Sequence, residues 1–541
     1  MCTINELPHA DRQEHVILHT LWFSKNKPRM DTFLKPFIDQ TQQLSTQAID
    51  WTDVHGVVHS SNVFAAICVC DAVPRAMLQN FKQFNGRHGC GYCTHPGDVV
   101  PKGRGHARVY PITPANTFDE RTHQETMQHV QTVLDSTEDS VCGVKGPSPL
   151  IMLPGFDIVK GVPPEYMHGV CLGVTKQMTG LWCDGQNAAE EFHIPEAAQK
   201  RIDEELIDLK TPDEIGRVPR KLSDRVHWKA CEWRAWLLFL SPVLLKGVLP
   251  TRLWKHWMLF VCSIHLLLQE TVSAEDINTA KLWLVSFVQQ VPRLYGVVHV
   301  TYNVHILIHL PGAVHDWGPL CGFSSFMFED AIGRLFHLFN GTRAVPMQIA
   351  QRFLIMKKLN LWVKSCNDDV TVMWKNLTGK CTKTKCSYHL TEKIIILSKT
   401  SFRSLTEQEQ HAYGPTQNYF LDISRCIINN LLYTTLIYSA DFKRCNSYFS
   451  TNTGEKGVIH SMIIDINDDG QQDLIIFYYS LVPAVLQLDN FSNHVETTDF
   501  FLSFHERRQL RMCKAKDVKN KCVFISSRDN VKYVVNLLPI I

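Results

Sequence analysis

The chain has 541 residues and 45% apolar content, enough for more than one buried core. Its formal charge of +2 excludes a globally basic nucleic-acid binder, so any DNA-binding charge must be local. Eighteen cysteines are scattered along the chain, and MCTINELPHADRQEHV carries no signal-peptide pattern. A small secreted disulfide scaffold is therefore excluded, and a soluble intracellular protein with reduced thiols or bound zinc is expected.

In chain order, His15 to Phe23 is rich in β-branched and large apolar residues and reads as a buried strand. Pro28 opens a predicted helix, Arg29 to Gln43, with Met30, Phe33, Leu34 and Phe37 on one face. Asn62 to Cys70 (NVFAAICVC) is a near-continuous apolar run, the pattern of a strand covered on both faces. Asp71 follows at its carboxyl end, where open α/β sheets place functional groups. Pro74 starts a short helix carrying Met77, Leu78 and Phe81. The stretch from His95 to Gly155 is loop-rich. Three segments, Lys221 to Lys246, Thr251 to Val272 and Ala274 to Gln290, then have helical spacing and suggest an α-helical insertion. The longest apolar stretch, Ala235 to Pro250, contains Lys246 and prolines and falls short of a membrane span. One further helix holds His305 and His309. Another, Phe323 to Asn340, has Ser324 and Ser325 as N-cap candidates. From about Asn376 short β-rich runs alternate with turn residues, predicting a small antiparallel barrel or sandwich.

Several constellations carry chemistry. Cys90 and Cys93, in HGCGYC, have the spacing with which two thiolates grip one tetrahedral ion. His305 and His309, four apart on a helix, present two imidazoles on one face and supply the other half of a Cys2His2 zinc site. The alternative is a redox or buried cysteine pair with two core histidines. Ile306 stands where a zinc protease needs glutamate, which excludes that chemistry. Asp71 and Glu329 are candidate ligands for Mg2+ or Mn2+, against the plain readings of a helix cap and a solvated acid. Glu165 and His168 can face one site at i, i+3, or simply begin a helix.

Two further features compete with simpler explanations. Asp465 to Asp473 has the opening pattern of a calcium loop, but Ile476 occupies the twelfth position and an Asp-Gly hairpin explains it better. Arg217, Arg220, Lys221, Lys229 and Arg234 interleave with Trp228, Trp233 and Trp236. That pattern suits phosphate neutralisation and base stacking, or equally a tryptophan core face with a solvated basic face.

The segments INELP, LWFSKNKPRMDTFLKPF, CDAVPRA, NFKQFNGRHGCGYCTHPG, PPEYMHGVCLGVTK, RVPRKLSDRVHWKACEWRAWLLF and NVHILIHLPGAVHDWGPLCGFSSFMFE resemble, in order, CACTA (En/Spm-type) transposases. Related pieces occur in Transib transposases and the V(D)J recombinase core. The resemblance runs from Ile4 to about Phe353, with a weaker likeness in the β-rich tail. It implies an α/β, RNase H-like DDE core interrupted by a large α-helical insertion and followed by a small β-rich C-terminal domain. The corresponding boundaries are 1–93 for the first part of the core, 94–300 for a zinc-braced insertion, 301–375 for core completion and 376–541 for the β-rich domain. It further implies Mg2+- or Mn2+-dependent DNA cleavage and strand transfer in the nucleus, on transposon ends and target DNA, by a homo-oligomer without membrane attachment. Asp71 matches the second catalytic aspartate and Glu329 the glutamate. His168 matches a histidine near the active site, and Cys90, Cys93, His305 and His309 match zinc ligands. The family's first aspartate lies on an opening strand ahead of the segment resembling INELP. Asp11 and Asp31 stand in the wrong context to replace it, so an N-terminally truncated protein with impaired cleavage is expected. A non-catalytic DNA- or chromatin-binding protein, or a protein-interaction scaffold, is the alternative.

Overall fold

The computed structural model describes residues 1–53, 55–113, 118–366, 370, 373–374, 388–398, 400–466, 470–484, 502–526 and 532–538. It is a mixed structure of helices and sheets with a sheet-rich C-terminal region. Among the described residues no helix is long and apolar enough to cross a membrane.

The chain divides into two compact units, Met1–Leu181 with His256–Leu359, and Trp182–Lys255 with Asn360–Ile540. Residues 182–255 belong to the same unit as the C-terminal strands.

In the first unit, local rules explain the helices well. The helix Met30–Thr46 buries Ile38, and Met30, Leu34 and Phe37 pack against a cluster built on Leu78, Leu150, Phe156 and Val159. The helix Ala274–Tyr295 starts at a capping box: Ser273 Oγ accepts from Asp276 N, and Asp276 accepts from Ser273 N. It buries Ala280, Leu284, Phe287, Val288 and Val291 along one stripe and stops at Gly296, whose φ of 98° favours glycine.

The two runs read as core strands form no strand in the structure. In His15 to Phe23 only Ile17 pairs, with Cys2, and Phe23 is 66% exposed. Along Asn62 to Cys70 the chain is unpaired as strand apart from the end of the hairpin Ile49–Thr52/Val58–Ser61 just before it. Phe64 is 57% exposed, whereas Cys68 and Cys70 pack on the Leu78 cluster. An apolar run specifies a wish for burial, but a strand exists only where neighbouring backbones accept its hydrogen bonds. The segment Phe323 to Asn340 is also shorter than expected, as a 3-10 turn Leu320–Phe323 followed by the helix Phe326–Leu335.

In the second unit an eight-stranded antiparallel sheet runs Tyr448–Thr451, Val518–Ser526, Lys532–Asn536, Leu502–Lys514, Gln472–Ala484, Lys456–Ile466, Phe420–Ile423 and Ser401–Arg403. The first of these also pairs with the sixth (Tyr448 opposite Val458), closing those strands into a barrel that leaves few free edges. Gly457 is needed in that wall, since a Cβ there would lie 2.4 Å from the Tyr478 ring. The expected Asp-Gly turn falls partly on 467–469, outside the described residues, but Asp465 does pair with Asp473 at the mouth of a hairpin.

One buried ion pair ties the 209–216 segment to the barrel. Lys521, 1% exposed, donates to Glu214 Oε1 and Oε2 at 2.7 and 2.6 Å and to Asn446 Oδ1 at 2.7 Å. Burial pulls its ammonium below the ordinary value, against the pull of Glu214. Removing one partner strands a buried charge, so Glu214→Gln is expected to cost about 3–5 kcal/mol. Combining Glu214→Leu with Lys521→Met should recover most of that. Urea unfolding of the two variants checks this; a loss below about 1 kcal/mol for Glu214→Gln would remove the pair from any structural role.

Candidate metal centre and acidic site

The Cys90–Cys93 turn is held open by glycines and pinned by an arginine. A Cβ on Gly89 would lie 2.3 Å from Gln83 O, and one on Gly91 would fall 1.8 Å from Arg75 Nη1. Arg121, 5% exposed, donates from Nε to both Cys90 O and Cys93 O at 3.0 Å and from Nη2 to Cys142 O at 2.6 Å. Its own segment zips alongside through Arg121 N to Tyr92 O and Thr94 N to Asp119 O.

The second half comes from the far side of the sequence. Thr301 caps the helix Tyr302–Ile306, which tightens to a 3-10 turn, Leu307–His309, before continuing as Leu310–Trp317. His305 and His309 thus stay one turn apart, as their spacing predicts.

The four side chains converge. Cys93 Sγ lies 3.3 Å from His305 Nε2, Cys90 Sγ 3.7 Å from His309 Nε2, and the two Nε2 atoms are 3.4 Å apart. All four ligand atoms fall within 4.8 Å of one another, and all four residues are buried. A tetrahedral zinc ion with the usual Zn–S and Zn–N lengths has ligand–ligand edges of about 3.3–3.8 Å, so these donors fit one. Both thiols are free rather than joined in a disulfide. Burial opposes ionisation of Cys90, but a hydrogen bond from Cys93 and the charge of His305 and His309 outweigh it and hold the thiol well below its usual range. Cys93, the donor of that bond and itself buried, is pushed up. The group can hold a metal ion and is compatible with structural zinc.

Asp71 caps the helix Ala72–Leu78, its Oδ1 accepting from Ala72 N at 2.6 Å. Glu329 is exposed in the first turn of Phe326–Leu335, its N–H bonded to Ser325 O. His168 lies at the start of a π-helical stretch, Met167–Thr175, a conformation frequent at functional sites. Gly169 and Gly173 let that stretch press on the His305 helix, since Cβ atoms there would sit 2.8 Å from Ile306 and Asn303.

Glu165 joins these parts. Oε1 accepts from Met167 N and Ser325 N at 2.9 and 2.8 Å; Oε2 takes His168 N and Nδ1, both at 2.7 Å. Burial raises its carboxyl pKa, but these bonds outweigh that and hold it below the usual range. Glu165 in turn raises the His168 imidazolium; burial opposes, and Asp71 and Glu329 both add to the rise.

The basic stretch divides. Arg220 is bidentate to Glu232 at 2.6 and 2.8 Å and also donates to His227 O. Arg217, Lys221 and Lys229 are exposed, and Arg234 is half-buried. Trp228 stacks edge-on with Trp233 and Trp236, and all three are buried, so they belong to the core.

Arg75 and Arg121, the two buried arginines at the cysteine turn, were not marked by any spacing rule; the pair of glycines beside Cys90 was the one available hint. No protein-family model matches the chain, and no curated protein matches it.

Two outcomes follow from this geometry. Cys93→Ser or His305→Ala should reduce bound zinc from about one ion per chain to near none and lower the melting temperature of the first unit, because metal affinity here is folding free energy; zinc analysis with calorimetry checks it, and unchanged metal content in both variants refutes the site. For the pair, the raised His168 value means its contribution is complete below about pH 6.5 and is lost as pH rises through the folded value. The lowered Glu165 value means its contribution is complete above about pH 4.3 and is lost as pH falls through the folded value. A His168 NMR titration midpoint above about 6.5 that drops in Glu165→Gln is expected; a midpoint indifferent to that substitution argues against the coupling.

Proposed function

We propose that the protein is a transposase-like, DNA-binding chain of the CACTA type, with an RNase H-like arrangement of Asp71, Glu329 and His168 braced by structural zinc on Cys90, Cys93, His305 and His309. The observation that supports it most is that Cys90, Cys93, His305 and His309 converge into one buried group, while Glu165 ties His168 to the turn that leads into Glu329. Segments 160 positions apart are thereby joined at Glu165.

When bound, Mg2+ or Mn2+ supplies Lewis-acid stabilisation of charge on a scissile phosphate. Asp71 and Glu329 offer the hard carboxylate oxygens such an ion prefers. His168, whose protonated form Glu165 favours, would offer positive charge to an anionic substrate. Glu165 cannot act as a third ligand, because its two oxygens already accept four hydrogen bonds. DNA binding in the nucleus belongs to the same proposal.

Within this stretch Arg217, Lys221 and Lys229 are exposed and could meet phosphates, whereas Arg220 holds Glu232. Reversing those three charges to glutamate should weaken duplex DNA retention and reduce the log–log salt slope by about 2–3. Arg220→Ala should lower stability instead, by leaving Glu232 buried without its partner. In the same assay Asp71→Asn and Glu329→Gln should abolish any residual Mn2+-dependent nicking while leaving retention intact. A wild-type protein that holds no duplex DNA at low salt would sink the proposal.

A further inference from the structure

Arg75 lies one helical turn after Asp71, its N–H bonded to Asp71 O at 2.9 Å. Its guanidinium is only 2% exposed and sits between the two halves of the metal group. Its central carbon is 5.1 Å from the Tyr92 ring centroid and 5.3 Å from that of Tyr302. Tyr92 stands between the two cysteines, and Tyr302 precedes His305 by three residues on the same helix. Nη2 makes a long bond to Gly89 O at 3.4 Å and the side chain also hydrogen-bonds Tyr92, whereas Nε and Nη1 have no hydrogen-bond partner.

A buried cation without full hydrogen bonding is costly unless something else compensates it. Here the compensation is the two aromatic faces, and each belongs to a different half of the metal group. The guanidinium is therefore well placed only when both halves are closed together. Gly91 completes the fit, since any side chain there would occupy the space of Nη1.

We infer that Arg75 is a positioning residue that couples closure of the Cys90–Cys93–His305–His309 group to the placement of the Asp71 helix. Cys90, Cys93, His305 and His309, when holding a zinc ion, would keep Tyr92 and Tyr302 on the guanidinium, and the guanidinium holds Ala72–Leu78 in register. Asp71 thus inherits its position from a centre whose atoms it does not touch. This rests on the reading of Asp71 as a divalent-ion ligand only for its consequence, not for the coupling itself.

The test uses the full-length zinc-loaded protein with Arg75→Met, Arg75→Lys and Gly91→Ala. Arg75→Met should keep its zinc yet lose hydrogen-exchange protection at the amides of Arg75 and Gln79, while the helix Ala274–Tyr295 stays protected. Gly91→Ala should do the same by displacing the guanidinium, and Arg75→Lys should fail to restore protection, because an ammonium cannot stack between two rings. Chelating zinc from the wild type should remove protection over Ala72–Leu78 at least as completely. Wild-type protection over Ala72–Leu78 in zinc-loaded Arg75→Met, or in the chelated wild type, overturns the inference; the chelation arm stands even if the variant does not fold. Mn2+ binding followed by electron paramagnetic resonance separates the two readings. A loss of about 10- to 100-fold in Arg75→Met is expected, as for a group that orients a ligand. Protection lost with Mn2+ binding unchanged supports the coupling and overturns the role of Asp71 as an ion ligand.

Discussion

The constraint on which the first unit depends is the meeting of two short segments across more than two hundred residues of chain. Cys93 and His305 are 212 positions apart, and Cys90 and His309 are 219 apart. Closing so long a loop costs about 5 kcal/mol in the logarithmic entropy term alone. Cysteine and histidine packing cannot repay that easily, because each buried thiol and imidazole also gives up water. A structural zinc ion contributes about 10–16 kcal/mol in comparable sites, so a metal-closed group outweighs the closure term where a bare polar cluster would not. The arginine clamp works in the same direction. Arg121 gathers the carbonyls of Cys90, Cys93 and Cys142 around one guanidinium, shaping the cysteine turn through its backbone and not through its ligand atoms.

From that closure the remaining geometry spreads through contacts that tolerate little change. Gly169 and Gly173 bring the π-helical stretch against the His305 helix at distances no side chain would permit. The same stretch opens with His168, whose position is fixed by Glu165, and Glu165 also accepts from Ser325 N. A carboxylate with four donors in a buried setting is an interaction that stabilises only when complete, since each lost donor leaves charge unsatisfied in low dielectric. The His305 helix and the Glu165–His168 pair thus form one connected body of contacts inside the first unit. In the second unit the barrel is secured differently, by strand closure and by the buried Lys521–Glu214 pair.

The departures from expectation share a cause. His15 to Phe23 and Asn62 to Cys70 have the composition of strands, yet their backbones find no ladder, because composition says nothing about which neighbour is within reach. The basic, tryptophan-rich stretch mixes two roles that a pattern cannot separate. Its tryptophans pack on one another and Arg220 serves Glu232, while Arg217, Lys221 and Lys229 face outward.

What could be read from the residues alone was whatever is encoded within a turn or two of chain. The two-residue gap of Cys90 and Cys93, the one-turn gap of His305 and His309, the Ser273 capping box and the run of C-terminal strands are all local, and local geometry follows from backbone periodicity. Asp71 as a helix cap was equally legible. Tertiary structure alone decided that the cysteine and histidine pairs share one centre, that Glu165 reaches Ser325 160 positions away, and that Arg75 lies between Tyr92 and Tyr302. Those facts depend on three-dimensional closure, in which positions far apart in sequence compete for the same few ångströms, and no spacing rule along the chain carries that information.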